Sequence, residues 1–264
     1  MEKISCLGPA GSYSELAAKK LSPRGEIVLC ANFQEVIGKL EREETDSAVI
    51  PIENSIQGGV LQNLDLLGQS NVFASEELVL PIDHRLATRE GVKLSQIKRV
   101  YSHEQAIGQC AEFLRTNLPK AQCIFTSSTT ESLLKLDGES AGIVGAHVEA
   151  EGVVLSEENV ADEKKNFTRF LRLVRKSGEP QNKSRMIFLC AVLRHEPGTL
   201  LALLKIFADC GHNLTRIESR PIKDVFGQYR FFIELEGNIA EPCVQEMLER
   251  AQLACKHLRI LGAY

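Results

Sequence analysis

Short apolar runs alternate with longer amphipathic stretches along the first part of the chain. Residues 4–7, 27–29, 47–50, 100–101, 123–125 and 141–144 are strand-sized apolar runs, whereas residues 34–43 and 104–115 space their apolar side chains at helical intervals. This alternation predicts α/β architecture. Two segments also echo one another, Asp46-Ser47-Ala48-Val49-Ile50-Pro51 and Glu139-Ser140-Ala141-Gly142-Ile143-Val144-Gly145. Each follows an amphipathic helix, as it would in two similar α/β lobes facing a cleft.

The pattern breaks at Lys176-Ser177-Gly178-Glu179-Pro180-Gln181-Asn182-Lys183-Ser184, where polar residues, Gly and Pro separate apolar strands. A domain over residues 1–176, a linker over 177–184 and a second domain over 185–264 follow from that interruption. Beyond it the order is strand (186–193), helix (198–210, stopped by Gly211), strand (213–222), strand (228–236), helix (242–255) and strand (258–261). The order βαββαβ in so short a span predicts a ferredoxin-like sandwich. Within residues 229–236 the odd positions are all apolar, which predicts a half-buried strand.

Composition narrows the function. A formal charge of −4 with 25% charged residues gives no basic surface for nucleic acid. No basic region followed by a long apolar run opens the chain, so neither a signal peptide nor a membrane span is expected, and the cytoplasm is the expected location. The eight cysteines form no Cys-x-x-Cys pair and read as small buried apolar residues of a reducing compartment. Cys210/His212 and Cys255/His257 lack a second pair at zinc-ligand spacing, so no metal is expected. No glycine-rich phosphate motif marks a dinucleotide or nucleoside triphosphate.

Candidate chemistry gathers in polar turns after strand-like runs. Ser12-Tyr13-Ser14-Glu15, Ser102-His103-Glu104-Gln105 and Ser128-Thr129-Thr130-Glu131 each match a helix capping box. Each is explained by capping alone, but strand-to-helix turns of open α/β sheets are also where anions bind. Glu53-Asn54-Ser55 places a carboxylate, an amide and a hydroxyl at the end of a strand, before a turn that Gly58 and Gly59 would make easily. In Asn166-Phe167-Thr168-Arg169-Phe170, alternation puts Asn166 and Thr168 on one face and Phe167 and Arg169 on the other. That stretch suits an ordinary strand entrance as well as a working site.

Gly8-Pro9-Ala10-Gly11-Ser12-Tyr13-Ser14, Pro51-Ile52-Glu53-Asn54-Ser55, Tyr101-Ser102-His103 with Gln105 and Gln109, Ser128-Thr129 and the stretch 166–170 together resemble the prephenate dehydratase family. Gly198-Thr199-Leu200-Leu201-Ala202-Leu203-Leu204 and Asn213-Leu214-Thr215-Arg216-Ile217-Glu218-Ser219-Arg220-Pro221 resemble the ACT domain that accompanies it. The resemblance runs along the whole chain in the family's order. It implies a two-lobed, periplasmic-binding-protein-like (type II) catalytic domain with its site in the cleft, followed by a ferredoxin-like ACT regulatory domain. It also implies conversion of prephenate to phenylpyruvate with loss of water and carbon dioxide, on the route to L-phenylalanine, without cofactor or metal.

By position, Thr168 matches the threonine essential to that family and is expected to donate to the leaving hydroxyl. Ser12, Glu53, Asn54, Ser55, Ser102, Gln105 and Gln109 are expected to line the cleft with Ser128, Thr129, Asn166, Arg169 and Phe170. Arg169 is divided between a substrate carboxylate and an acidic partner on the opposite strand face, while Glu53 and His103 are conceivable proton sources. The resemblance further implies that Gly198, Thr199, Leu200 and Leu201, with Asn213, Leu214 and Thr215, form an L-phenylalanine effector pocket at a domain interface, shaped by Glu218, Ser219, Arg220 and Pro221. It implies a homodimer or homotetramer. A chain that begins at the dehydratase motif is expected to lack the helical chorismate mutase domain fused to some relatives. Two alternatives remain at this level: arogenate dehydratase, and a non-catalytic amino-acid-sensing binding protein.

Overall fold

The computed structural model describes residues 1–175, 184–222, 225 and 227–264. The expected linker therefore lies outside the described residues except for Ser184. That residue is buried in the second domain, where its hydroxyl accepts a hydrogen bond from Ile239 N at 3.0 Å.

Lobe one comprises β1 (Lys3–Leu7), α1 (Tyr13–Leu21), β2 (Glu26–Cys30), α2 (Phe33–Glu41), β3 (Ser47–Asn54), β4 (Gly58–Gly59), α3 (Leu61–Gln69) and β5 (Val72–Pro81). The chain then crosses at Ile82 and Asp83 into lobe two. This lobe holds β6 (His84–Arg89), β7 (Arg99–Ser102), α4 (Glu104–Gly108), α5 (Ala111–Asn117), β8 (Gln122–Phe125), β9 (Ser140–Gly145) and β10 (Val153–Leu155). The return passage ends in β11 (Phe167–Arg175), inside the sheet of lobe one. The second domain follows as β12 (Met186–Val192), α6 (Thr199–Asp209), β13 (Leu214–Pro221), β14 (Tyr229–Glu236), α7 (Pro242–Ala254) and β15 (His257–Ala263). Its order is βαββαβ, as the sequence predicts.

Local chemistry explains these boundaries. The Asn32 side chain accepts from Glu35 N (2.8 Å) and the Glu35 carboxylate accepts from Ala31 N (2.8 Å), which starts α2 by reciprocal capping. Val36, Ile37 and Leu40 then fall on one buried face. The expected helix over 104–115 is instead two helices, α4 and α5. The Asp162 carboxylate accepts from Glu112 N (3.0 Å) and Phe113 N (3.2 Å), while Asp162 N donates to Gln109 O (2.8 Å). A residue distant in sequence thus supplies a fresh helix start and turns the chain at Gln109.

Among the described residues the strands form two sheets. The smaller, in lobe two, has the order β10-β6-β9-β7-β8. The larger is ten-stranded, with the order β13-β14-β12-β15-β5-β11-β3-β1-β2 and β4 against β3. It is continuous through both domains because β15 meets β5 in parallel at Gly262 and Ala74. A Cβ at position 262 would lie 2.6 Å from Ala74 Cβ and 2.7 Å from Ala74 O, so only glycine permits this approach.

The two domains also share a core. Val36, Ile37 and Leu40 of α2 and Leu64 and Leu67 of α3 pack in one buried cluster with Phe188, Cys190, Phe232 and Leu261 of the second domain. The other face of the second domain's sheet packs on α6 and α7 through Leu203, Phe207, Val244 and Met247. This corrects the half-buried expectation for β14. Its even positions Phe232 and Glu234 are buried too, because lobe one covers the face that a free-standing sandwich would leave wet. Full burial of a side chain such as Phe232 contributes about 1.5–3 kcal/mol. The architecture is thus α/β, a two-lobed type II binding-protein-like domain joined to a ferredoxin-like one.

Candidate active site

The site is built on the antiparallel pair of β3 and β11, in which Thr168 lies opposite Asn54 and Arg169 opposite Glu53. Pleating sends the 54/168 pair into the cleft between the lobes and the 53/169 pair away from it. Asn54 Oδ1 accepts from Ile56 N and Gln57 N, both at 3.1 Å, which fixes the side chain's orientation. Its Nδ2 therefore points to Asn166 Oδ1 (2.7 Å), Thr168 Oγ1 (3.0 Å) and Phe167 O (3.1 Å). An amide nitrogen has no lone pair to offer, so the Thr168 hydroxyl accepts from Asn54. Its own hydrogen is left for a partner in the cavity.

The same network bridges the lobes. Asn166, 1% exposed, donates through Nδ2 to Gln109 Oε1 (3.2 Å), and that oxygen lies 2.9 Å from His84 Nε2. Because the Gln109 oxygen accepts from both sides, His84 carries its hydrogen on Nε2. Burial lowers the pKa of His84, partly offset by the bond to Gln109, which favours the neutral ring. The two crossing passages meet here as well, with Ile82 N donating to Asn166 O at 2.8 Å. Tyr13 of α1 clamps the crossing, its hydroxyl donating to Asp83 O (2.7 Å) and accepting from Asp83 N (2.9 Å). Burial pushes the Tyr13 phenol up to about 12, so it stays neutral. The lobes touch again where His147 Nε2 donates to Gly11 O at 3.0 Å.

Between the lobes lies a cavity of about 550 Å³, within the usual range for a small-molecule site. Of the residues expected from sequence, Ser12, Asn54, Gln105, Gln109, Ser128, Thr129, Asn166, Thr168 and Phe170 border it. Among the described residues no lysine or arginine lines it. Helix starts border it instead, and the first N–H groups of a helix, which lack intrahelical partners, favour anions. Ser12 caps α1 by accepting from Glu15 N (3.2 Å), and Ser128 accepts from Glu131 N (3.1 Å) at the start of a 3₁₀ turn rather than an α-helix.

The remaining expectations are corrected. Ser102 does not cap α4: it is fully buried in β7 and donates to Ile143 O (2.7 Å), and the cap is His103, whose Nδ1 accepts from Gln105 N (3.2 Å). The Ser55 hydroxyl accepts from Phe167 N (2.9 Å), pinning the strand pair outside the cavity. Glu53 and Arg169 lie on the far face of the same pair, 3.2 Å apart, so neither lines the cleft and Glu53 is no proton source there. Arg169 instead binds Glu234 of the second domain, at 2.6 and 2.8 Å. Alternation from Asn54, applied as it was from Thr168, places Glu53 correctly.

Sequence reasoning missed Tyr13, Phe33, Gln57 and His84, which also border the cavity. Tyr13 lies inside a quoted motif, but nothing in the sequence around His84 distinguishes it from a core histidine. In the second domain, a smaller cavity of about 220 Å³ borders Thr199 and Leu200 but none of the other residues expected to hold an effector. Arg220 is committed to Asp65 of α3, at 2.7 and 3.0 Å. Among the described residues no cluster of His, Cys, Asp or Glu could hold a metal ion, and no helix is long and apolar enough to cross a membrane.

Residues 4–178 match the family described as Prephenate dehydratase. The chain is 35% identical over 273 residues to a prephenate dehydratase of Amycolatopsis methanolica, covering 100% of this chain and 88% of that protein. It is 34% identical over 285 residues to arogenate dehydratase/prephenate dehydratase 1 of Arabidopsis thaliana, covering 99% and 71%. A crystal structure of prephenate dehydratase from Arthrobacter aurescens in complex with L-Phe superposes with a TM-score of 0.91 at 31% identity, covering 99% of this chain and 89% of that one.

Proposed function

The chain belongs to the prephenate dehydratase family, and we propose that the cleft around Asn54, Asn166 and Thr168 carries out its dehydration and decarboxylation of prephenate. The observation that supports this reading is the bond from Asn54 Nδ2 to Thr168 Oγ1, which leaves the threonine's hydrogen free.

Prephenate carries a ring hydroxyl opposite a carbon that bears a carboxylate. Its C–O bond breaks and the oxygen leaves as water. The C–C bond to the carboxylate breaks, carbon dioxide departs, and the bonding electrons complete the aromatic ring. One proton is taken up overall. Aromatisation supplies the driving force, so the protein's work is placement and stabilisation of the leaving oxygen. Thr168 donates a hydrogen bond to that oxygen, and the net proton comes from solvent because a threonine is too weak an acid to supply it alone. The substrate's carboxylates meet hydroxyls, amides and helix-start N–H groups at Ser12, Gln105, Gln109, Ser128 and Thr129. Phe170 and Phe33 pack against the ring.

The second domain is the regulatory one. L-Phenylalanine, one amination away from the product, is the effector, bound by Gly198–Leu201 with the 213–221 strand. Since Thr199 and Leu200 border a cavity that the strand does not reach within one chain, a second copy paired along the edge strand β13 completes the pocket. The assembly in this reading is a homodimer or homotetramer, working in the cytoplasm.

Assay of the purified protein with prephenate and with arogenate, each with and without L-phenylalanine, tests these statements together. Turnover of prephenate is expected, and Thr168→Ala should lower kcat at least about a hundredfold. Faster turnover of arogenate would reassign the substrate, and no turnover of either would leave an amino-acid sensor.

A further inference from the structure

The pair next to the catalytic one is held by the other domain. Arg169 Nη2 reaches both oxygens of Glu234 and lies 3.2 Å from Glu53, while Nη1 lies 3.4 Å from Glu77. Glu234 is 1% exposed and also accepts from the Tyr264 hydroxyl at 3.3 Å. Burial and the charge of Glu234 hold the Tyr264 phenol far above its usual range, so it acts as a neutral donor. Across the sheet, Arg216 of β13 is the register partner of Glu234, and its guanidinium lies 3.7 Å from Glu53. Arg216, Glu234, Arg169 and Glu53 therefore alternate in charge from the effector strand β13 to the strand pair that holds Thr168 and Asn54.

We propose that Glu234 is a positioning residue for Thr168: acting through Arg169, it couples the state of the regulatory domain to the catalytic strand pair. Simple adhesion between the domains does not require it. The shared apolar core already joins them, and the Arg220–Asp65 pair clasps α3 separately. A buried ion pair is in any case a weak source of stability but a specific geometric constraint. Burial would lower the pKa of Arg169, yet the carboxylates around it raise it on balance, so the cation persists. β11 also shifts register between Arg169 and Phe170, one residue from Thr168. A pull on Arg169 thus acts where the ladder is already irregular.

This inference rests on L-phenylalanine being the effector. Its test compares wild type, Glu234→Gln and the double variant Arg169→Gln/Glu234→Gln, which leaves no unpaired buried charge. Prephenate turnover is measured with and without saturating L-phenylalanine, phenylalanine binding by equilibrium dialysis, and folding by thermal melting. Both variants should bind phenylalanine with wild-type affinity, while their inhibition falls by at least about fivefold, the lower end of ordinary coupling factors. If Glu234→Gln does not fold, the double variant alone decides. Inhibition as strong as that of wild type in a folded variant overturns the proposal. A wild type that binds no phenylalanine refutes the effector assignment instead, and this coupling with it.

Discussion

An amide at position 54 gives Thr168 Oγ1 a hydrogen to accept, whereas a carboxylate there would offer only lone pairs. Asn54→Asp is nearly isosteric and retains the two backbone bonds to Oδ1, yet it would draw the Thr168 hydrogen out of the cavity. Its kcat should fall about a hundredfold or more with a smaller change in KM, and its melting temperature should fall too, because Asn166 Oδ1 and Phe167 O lose their donor and face a carboxylate oxygen. Steady-state kinetics with wild-type kcat would refute the donor role. At this scale alternation is the informative signal, since in the sequence alone it separates Thr168 and Asn166 from Arg169. It could not show that Ser102 and Ser55 spend their hydroxyls on backbone groups, because those partners, Ile143 and Phe167, are joined to them only by the fold.

Helix α5 depends on a cap that no local motif announces. Asp162→Ala removes acceptors from Glu112 N and Phe113 N and should destabilise the protein by about 1 kcal/mol, read by denaturant titration. Because Asp162 N also fixes Gln109 O at the break, loss of the cap should loosen the Gln109 side chain and raise KM for prephenate more than it lowers kcat. An unchanged KM would separate the cap from the site. The existence of α4 and α5 was legible in the apolar spacing of 104–115, but the break was not, since its cause lies 50 residues away. β14 failed differently: its odd positions alternate correctly, and only the presence of lobe one reveals that its even face is buried as well.

For the whole molecule, a shared core predicts shared unfolding. Calorimetry should show a single endotherm with equal calorimetric and van't Hoff enthalpies. Phe232→Ala, in the common cluster, should shift that transition by about 3–5 kcal/mol without splitting it. Two separate endotherms would mean that the domains are energetically independent. The polar stretch at 176–184, from which the sequence reading places a joint between two domains, lies outside the described residues except for Ser184, and punctuation in a sequence reports where the chain turns, not where the energy divides.

The seam at Gly262 and Ala74 bears on how such a molecule moves. With one hydrogen-bonded sheet running through both domains, lobe one and the second domain form a single chassis. Lobe two hangs from it by two passages, clasped by Tyr13 at Asp83 and latched by His147 at Gly11. Any gate on the cleft is then the swing of the smaller part. The second domain is placed like a hand on the frame of a door: it cannot travel with the leaf, and could change the opening only by flexing the post to which the hinge is fixed.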